Sequence, residues 1–122
     1  MRLIVALLLM TLAAPAWAEW VKMGETDEAV FYLDPATIKR TAHRRRVWAL
    51  EDYKHRSKSG GLSRRSLQEY DCARERFRNL SLSEHTERMA SGAVLAAGTP
   101  VIEWDYITPR TVGAAKMKVV CG

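Results

Sequence analysis

The chain has 122 residues, a formal net charge of +5 and two cysteines. Its length holds one small domain and no second one, and after the N-terminal leader no apolar run is long enough to cross a membrane. The cysteines lack the C-x-x-C spacing of a redox motif or a zinc site, and the basic balance favours attraction to phosphates and to sulfated or acidic glycans.

Residues 1–18 read as a signal peptide. Arg2 supplies the positive end, residues 3–12 an apolar core too short for a stable span, and Ala16-Trp17-Ala18 a small-residue cleavage site. Cleavage after Ala18 leaves Glu19 as the mature N-terminus and residues 19–122 as a single domain. No cysteine follows the apolar run, so a bacterial lipid anchor is not indicated. A domain of about one hundred residues buries a modest share of its surface and gains from a covalent tie. In an oxidising compartment Cys72 and Cys121 read as one disulfide. Closing a loop of about fifty residues is worth roughly 4 kcal/mol in the chain-entropy model.

In chain order, residues 19–24 look like a short first strand stopped by Gly24, and residues 28–33, rich in β-branched and aromatic side chains, like a second. Asp34-Pro35 sets a capping residue before a proline, which predicts one helical turn over 35–39. A basic turn, His43-Arg44-Arg45-Arg46, leads into an interior strand over 47–54, with Trp48 and Leu50 on one face and Val47, Ala49 and Tyr53 on the other. Residues 57–61 form a hairpin loop, and the run 62–82 returns antiparallel. Tyr70 and Cys72 point one way along it, and on an unbroken strand Arg74, Arg76 and Arg78 would follow them. Three arginines cannot extend an apolar face without partners, so a bulge or bend after Cys72, or a face turning to solvent there, is expected.

Residues 83–90 fit either a loop or a helical turn, and 92–97 a weak strand. Residues 101–107 read as a last strand opened by Gly98-Thr99-Pro100. Thr108-Pro109 supplies a cap and a proline ahead of a helix over 111–120, whose stripe is Val112, Ala115 and Val119 with Lys116 beside them. Strands followed by a terminal helix imply an α+β fold: an antiparallel β-sheet of about five to six strands with a C-terminal helix packed on it and held by the disulfide.

Several segments, in this order and spacing, resemble the surface-adhesin protein E family of proteobacteria. They are Trp20-Val21-Lys22, the run 32–38, the run 47–54, Glu69-Tyr70-Asp71-Cys72, Trp104 with Ile107-Thr108-Pro109, and the terminal Val120-Cys121. The resemblance covers nearly the whole mature chain. It implies a small antiparallel sheet with a packed helix and a disulfide, which agrees with the reading above. It also implies an adhesin-like protein of the bacterial envelope, in the periplasm or at the outer-membrane surface of a Gram-negative bacterium. Adhesion to host matrix and plasma proteins, a homodimer, and an association with haem come with it as further implications.

No nucleophile elbow or metal-ligand spacing is present, so no catalytic and no metal site is predicted and the function reads as non-enzymatic. His43, His55 and His85 are scattered, and they enter as haem ligands through the resemblance alone; the residues themselves ask for no cofactor. The arginines carry the binding hypothesis. Arg44, Arg45 and Arg46 form one group, Arg64 and Arg65 lie across the same hairpin, and Arg74, Arg76 and Arg78 form a stripe spaced by two. The planar guanidinium engages two oxygens of a phosphate, sulfate or carboxylate at once. Against this stands a solvated stripe paired across strands with Glu51, Asp52, Glu69, Asp71 or Glu75.

Two functions follow. The first is an exported binding module for an anionic partner: a glycan, lipopolysaccharide or an acidic host protein. The second is a periplasmic structural or envelope-maintenance protein without adhesin activity, self-associating through an edge strand. Nucleic-acid binding is opposed by the leader, and inhibition of a basic enzyme such as lysozyme by repulsion between two basic proteins.

Overall fold

The computed structural model describes residues 18–100 and 103–122. The expected signal peptide, Ala18 apart, and the first two residues of the expected last strand lie outside the described residues. Seven strands and one helix follow in order: β1 (Val21–Glu25), β2 (Ala29–Thr41), β3 (Arg44–Tyr53), β4 (Ser63–Asp71), β5 (Arg76–His85), β6 (Val94–Gly98), β7 (Asp105–Tyr106) and α1 (Val112–Cys121). The first six pair in sequence order as an antiparallel meander. β7 shares the outer edge of β5 with β6.

Strand alternation divides this sheet into two chemically different faces. Val47 and Ala49 of β3 join Leu33, Tyr70 and Val120 in the core beneath α1, with Met23, Ile38, Phe77 and Ile107 packed around them. The Tyr70 hydroxyl donates to Gln68 Oε1 at 2.9 Å, and Gln68 Nε2 donates to Asn79 Oδ1 at 3.2 Å, so these three side chains satisfy one another. Arg44, Arg46, Trp48 and Leu50 alternate to the opposite face. At one end of it the β5–β6 loop folds back. Met89 and Ala90, both at positive φ, donate backbone N–H groups to Asp52 Oδ1 and Ser63 Oγ, each at 2.9 Å. Those bonds hold two residues in a region that L side chains disfavour, and they resolve residues 83–90 into a strand end followed by a loop.

Four expectations change within the sheet. Residues 35–39 form no helical turn, because β2 runs through them as an irregularity between Asp34 and Lys39. Pro35 has no N–H for the ladder. The Thr37 hydroxyl closes the gap, donating to the Asp34 carbonyl at 2.7 Å and accepting from the Trp48 N–H at 3.0 Å. Next, the basic residues 44–46 are not a turn. They open β3, so Arg44 and Arg46 share one face and Arg45 takes the other. The run 62–82 is two strands, β4 and β5, joined by a tight turn over 72–75 in which Glu75 sits at φ 53° and the Arg74 N–H donates to Asp71 Oδ1. The bend predicted after Cys72 is therefore a full reversal. The described part of the last strand shrinks to Asp105–Tyr106, since Trp104 leaves the ladder to lie over the arginines described below.

The helix begins at Val112, and its N-cap is Thr111 rather than the expected Thr108, the Thr111 Oγ1 accepting from the Ala114 N–H at 3.2 Å. Its buried residues are Lys116 and Val120, whereas Val119 is 42% exposed, so the face turned to the sheet is not the Val112/Ala115/Val119 stripe. Cys121 bonds to Cys72, with Cα atoms 5.8 Å apart, and this sets the rotation. Replacing either cysteine by alanine is expected to lower unfolding free energy by roughly 2 to 5 kcal/mol. A chemical denaturation midpoint equal to that of the wild type would show that the bridge contributes nothing.

Candidate binding face

The strand registers bring most of the predicted arginines together. Arg44 of β3 stands opposite Asp71 of β4, which stands opposite Arg76 of β5; one step along, Arg46, Glu69 and Arg78 repeat the arrangement. Two rows of cation, anion and cation thus cross the face away from α1. Glu69 is 2% exposed and receives both Arg78 Nη2 at 2.6 Å and Arg46 Nε at 3.0 Å; Arg76 Nε donates to Asp71 Oδ2 at 3.1 Å. Trp104 roofs the rows, with the guanidinium carbons of Arg44, Arg76 and Arg78 at 5.1, 4.4 and 4.2 Å from its ring centroid. Such stacking is worth about 0.5 to 2 kcal/mol per contact.

Burial works against the charged form of Glu69, but the hydrogen bonds from Arg78 and Arg46 outweigh it and hold the carboxyl below its ordinary value. Asp71 is held low in the same way, burial being overcome by Arg76 and by the Arg74 N–H. The cross-strand pairing weighed in the sequence therefore absorbs Arg76 and Arg78, whose side chains are only 15% and 20% exposed. Arg44 and Arg46 remain about half exposed, at 44% and 49%. Arg45 lies on the other face, its guanidinium donating to the backbone carbonyls of Ala42 and Arg44. Arg74 is exposed in the β4–β5 turn, apart from both rows.

Glu69 compensates Arg46 from the β4 side, but on the β2 side the register sets further cations beside it. At the end of the β2–β3 hairpin Lys39 pairs in register with Arg46, and Arg40 with Arg45. Like charges directly opposite across strands are destabilising. β1 stops its pairing at Leu33, so the outer edge of β2 is open here among the described residues. A depression of about 400 Å³ beside it is lined by Lys39, Arg46, Trp48 and Leu67, and Arg65 stacks on Trp48 at 4.3 Å. Sequence reasoning missed Lys39, Arg40 and Trp104. The signal for the first two was the pairing of 39–41 with 44–46 around a two-residue turn, hidden by the predicted helical turn. Trp104 had no signal, because a side chain leaving a strand is not written in periodicity.

The three histidines implied as haem ligands sit in different settings. His43 borders a depression of about 250 Å³ whose other walls are Arg44, Asp71, Ala73, Arg74 and Arg76. His55 is exposed after β3, and His85 is buried with its Nε2 in a hydrogen bond to Ser83 Oγ at 2.9 Å. Burial, with Arg65 nearby, lowers the His85 pKa.

Glu69 is the keystone of the rows. Glu69→Gln is expected to cost on the order of 3 kcal/mol at neutral pH, since it leaves Arg46 and Arg78 facing each other without an anion. The unfolded chain takes up the Glu69 proton near the ordinary value of 4.5, the folded chain only at lower pH. The stabilisation is thus whole above about pH 4.5 and is lost as pH falls through the folded value. Denaturant titrations from pH 7 to pH 3 should show a shallower acid decline in Glu69→Gln than in the wild type, and parallel declines would contradict this.

A model of the family described as surface-adhesin protein E matches residues 20–122. The fold is similar to that of protein E from Haemophilus influenzae. Against its selenomethionine form the TM-score is 0.66 at 14% identity, covering 87% of this chain and 88% of that one. A second crystal form gives 0.63 at 14% identity with 87% and 89% covered, and protein E of non-typeable H. influenzae 0.54 at 14% with 83% and 75%. No curated protein matches this chain in sequence. With the family model matched from Trp20 to the C-terminal glycine, and the same sheet, helix and disulfide arrangement as expected of it, the chain belongs to the surface-adhesin protein E family.

Proposed function

We propose that this protein is an exported, non-enzymatic adhesin-like protein whose β2–β3 hairpin docks on an acidic surface of a host protein. Membership of an adhesin family supports the general reading. The observation that carries the site is the pair of like-charged register partners beside an open strand edge, Lys39 opposite Arg46 on the ionic face and Arg40 opposite Arg45 on the other. Carboxylates arriving at that edge offset the repulsion the register sets up. Trp48, half-buried beside Arg46, adds a flat apolar contact of the kind that anchors interfaces. Arg78 serves this face indirectly, fixing Glu69 so that Arg46 is held extended.

The double variant Lys39→Ala, Arg40→Ala separates binding from folding. Its melting temperature is expected to equal or slightly exceed that of the wild type, because removing opposed like charges relieves a few tenths of a kcal/mol. Its saturable binding to an immobilised basement-membrane protein extract should fall roughly tenfold. Wild-type binding should also weaken as the screening length shortens from about 10 Å at 0.1 M salt to about 3 Å at 1 M. Equal binding by the variant, or binding indifferent to salt, overturns the assignment. Retention on heparin beads without retention on the protein matrix reassigns the hairpin to an anionic glycan.

Export is proposed through the leader, with cleavage after Ala18 and surface display. Mass spectrometry of the mature chain should then begin at Glu19. Protease added to intact producing cells should digest the chain. Protection until the outer membrane is permeabilised favours the periplasmic envelope reading instead.

A further inference from the structure

Lys116 is an anomaly of the helix. It lies between Val112 and Val120 on the buried side of α1 and is only 6% exposed, at a position where an apolar residue would complete the stripe. Its ammonium stands 5.8 Å from the Phe31 ring centroid. Among the described residues it has no ion-pair partner. The charges that act on it, Glu51 and Arg64, are bonded to each other, Arg64 Nη2 to Glu51 Oε1 at 2.7 Å. Arg64 itself keeps its Nε buried with no hydrogen-bond partner. Burying an unpaired charge costs stability, so the Lys116 ammonium calls for an acceptor.

Lys116 and Arg64 both line a cavity of about 370 Å³ between α1 and the sheet. Phe31, Phe77, Ile107 and Val112 give it apolar walls. The first turn of α1 borders it and holds no acidic residue, so the positive end of the helix is uncompensated there. Burial pulls the Lys116 pKa down to about 8, which still leaves the amine mostly protonated at neutral pH. Glu51 supplies one negative charge against Lys116 and Arg64, so the cavity is one positive charge in excess. A cavity of about 150 Å³ lined by aliphatic and aromatic side chains accepts benzene, and this one is more than twice as large.

We infer that this cavity binds a small organic acid, with its carboxylate at the Lys116 ammonium and a flat apolar body, about two fused rings in size, between Phe31 and Phe77. The site shares no lining residue with the depression at Lys39 and Arg46 and stands independently of the adhesin reading. The ligand makes no covalent bond. Its carboxylate meets an ammonium that the protein leaves without an ion-pair partner, and its body fills apolar space that water would occupy poorly.

Titration of the full mature chain with 1-naphthoate by isothermal calorimetry tests this, beside the neutral isostere 1-naphthamide and the variant Lys116→Met. The wild type is expected to bind one naphthoate per chain and to prefer it to naphthamide by about tenfold or more, as a charge-assisted contact requires. Lys116→Met should melt at a higher temperature at neutral pH, because it removes a buried unpaired charge, so its loss of binding cannot be ascribed to misfolding. It should lose the preference for the acid while retaining some affinity for naphthamide. In methyl-resolved NMR spectra naphthoate should shift the signals of Ile107 and Val112. Absence of saturable naphthoate binding to the wild type, equal affinity for acid and amide, or an unaltered preference in Lys116→Met overturns the proposal.

Discussion

The bridge between Cys72 and Cys121 is the constraint on which the arrangement depends. Cys72 follows β4 on the side shared by Tyr70, and Cys121 is the last residue of α1. Joining them brings the end of the helix to the face on which Tyr70, Val47 and Leu33 converge, and it fixes which side of the helix looks down. The helix is a weak amphipath with two lysines in its last two turns, so its own stripe would not choose that orientation. Val120 reaches the core because the neighbouring cysteine is tied, and Lys116, one turn earlier, is carried in with it. The covalent tie over 49 residues thus accounts for both the closed core and the unusual buried amine.

With one face committed to the helix, the other is free to be ionic. Its stability comes from placement: each carboxylate of β4 has an arginine on either side, from β3 and from β5, so charge alternates across the sheet. Pairs of this kind offset desolvation only when both oxygens of the carboxylate are engaged, as those of Glu69 are. The scheme ends at β3, because on its other side β2 sets Lys39 and Arg40 opposite Arg46 and Arg45, and β1 does not extend beside these residues to supply anions. The same alternation that stabilises the middle of the face therefore leaves its corner electrostatically unsatisfied, and that corner is where a partner of opposite charge gains most.

Much of this was legible in the residues. The strands 28–33 and 47–54, the Ser-Lys-Ser-Gly-Gly hairpin, the terminal helix and the cysteine pairing all carry signals in the residues: β-branched runs, turn glycines, a proline ahead of the helix and an even cysteine count. The pairing of arginines with Glu69 and Asp71 was also in view, since residues spaced by two share a face. Errors arose where a local signal met a stronger non-local one. Asp34-Pro35 carries a sound helix-start pattern, yet the Thr37 hydroxyl bridging to Trp48 and the packing of Ile38 into the core keep the chain extended. Arg44, Arg45 and Arg46 look like a turn because they are polar, whereas the register to β4 makes strand residues of them.

The sequence by itself determined the class of fold, the order of its elements, the covalent tie and the excess of positive charge, because each depends on composition, short-range periodicity or residue count. Only the tertiary structure decided which charges neutralise one another and which are left over. Arg74, Arg76 and Arg78 are equivalent in the sequence, but a reversal at residues 72–75 leaves the first in a turn and sets the other two against β4. Lys39 and Arg40 gain their meaning from a register across the sheet, and Lys116 from a helix rotation set by a bond to a residue far away in the chain. Neutralisation depends on distances of a few ångströms between separate strands, and those distances are products of packing that no local pattern encodes.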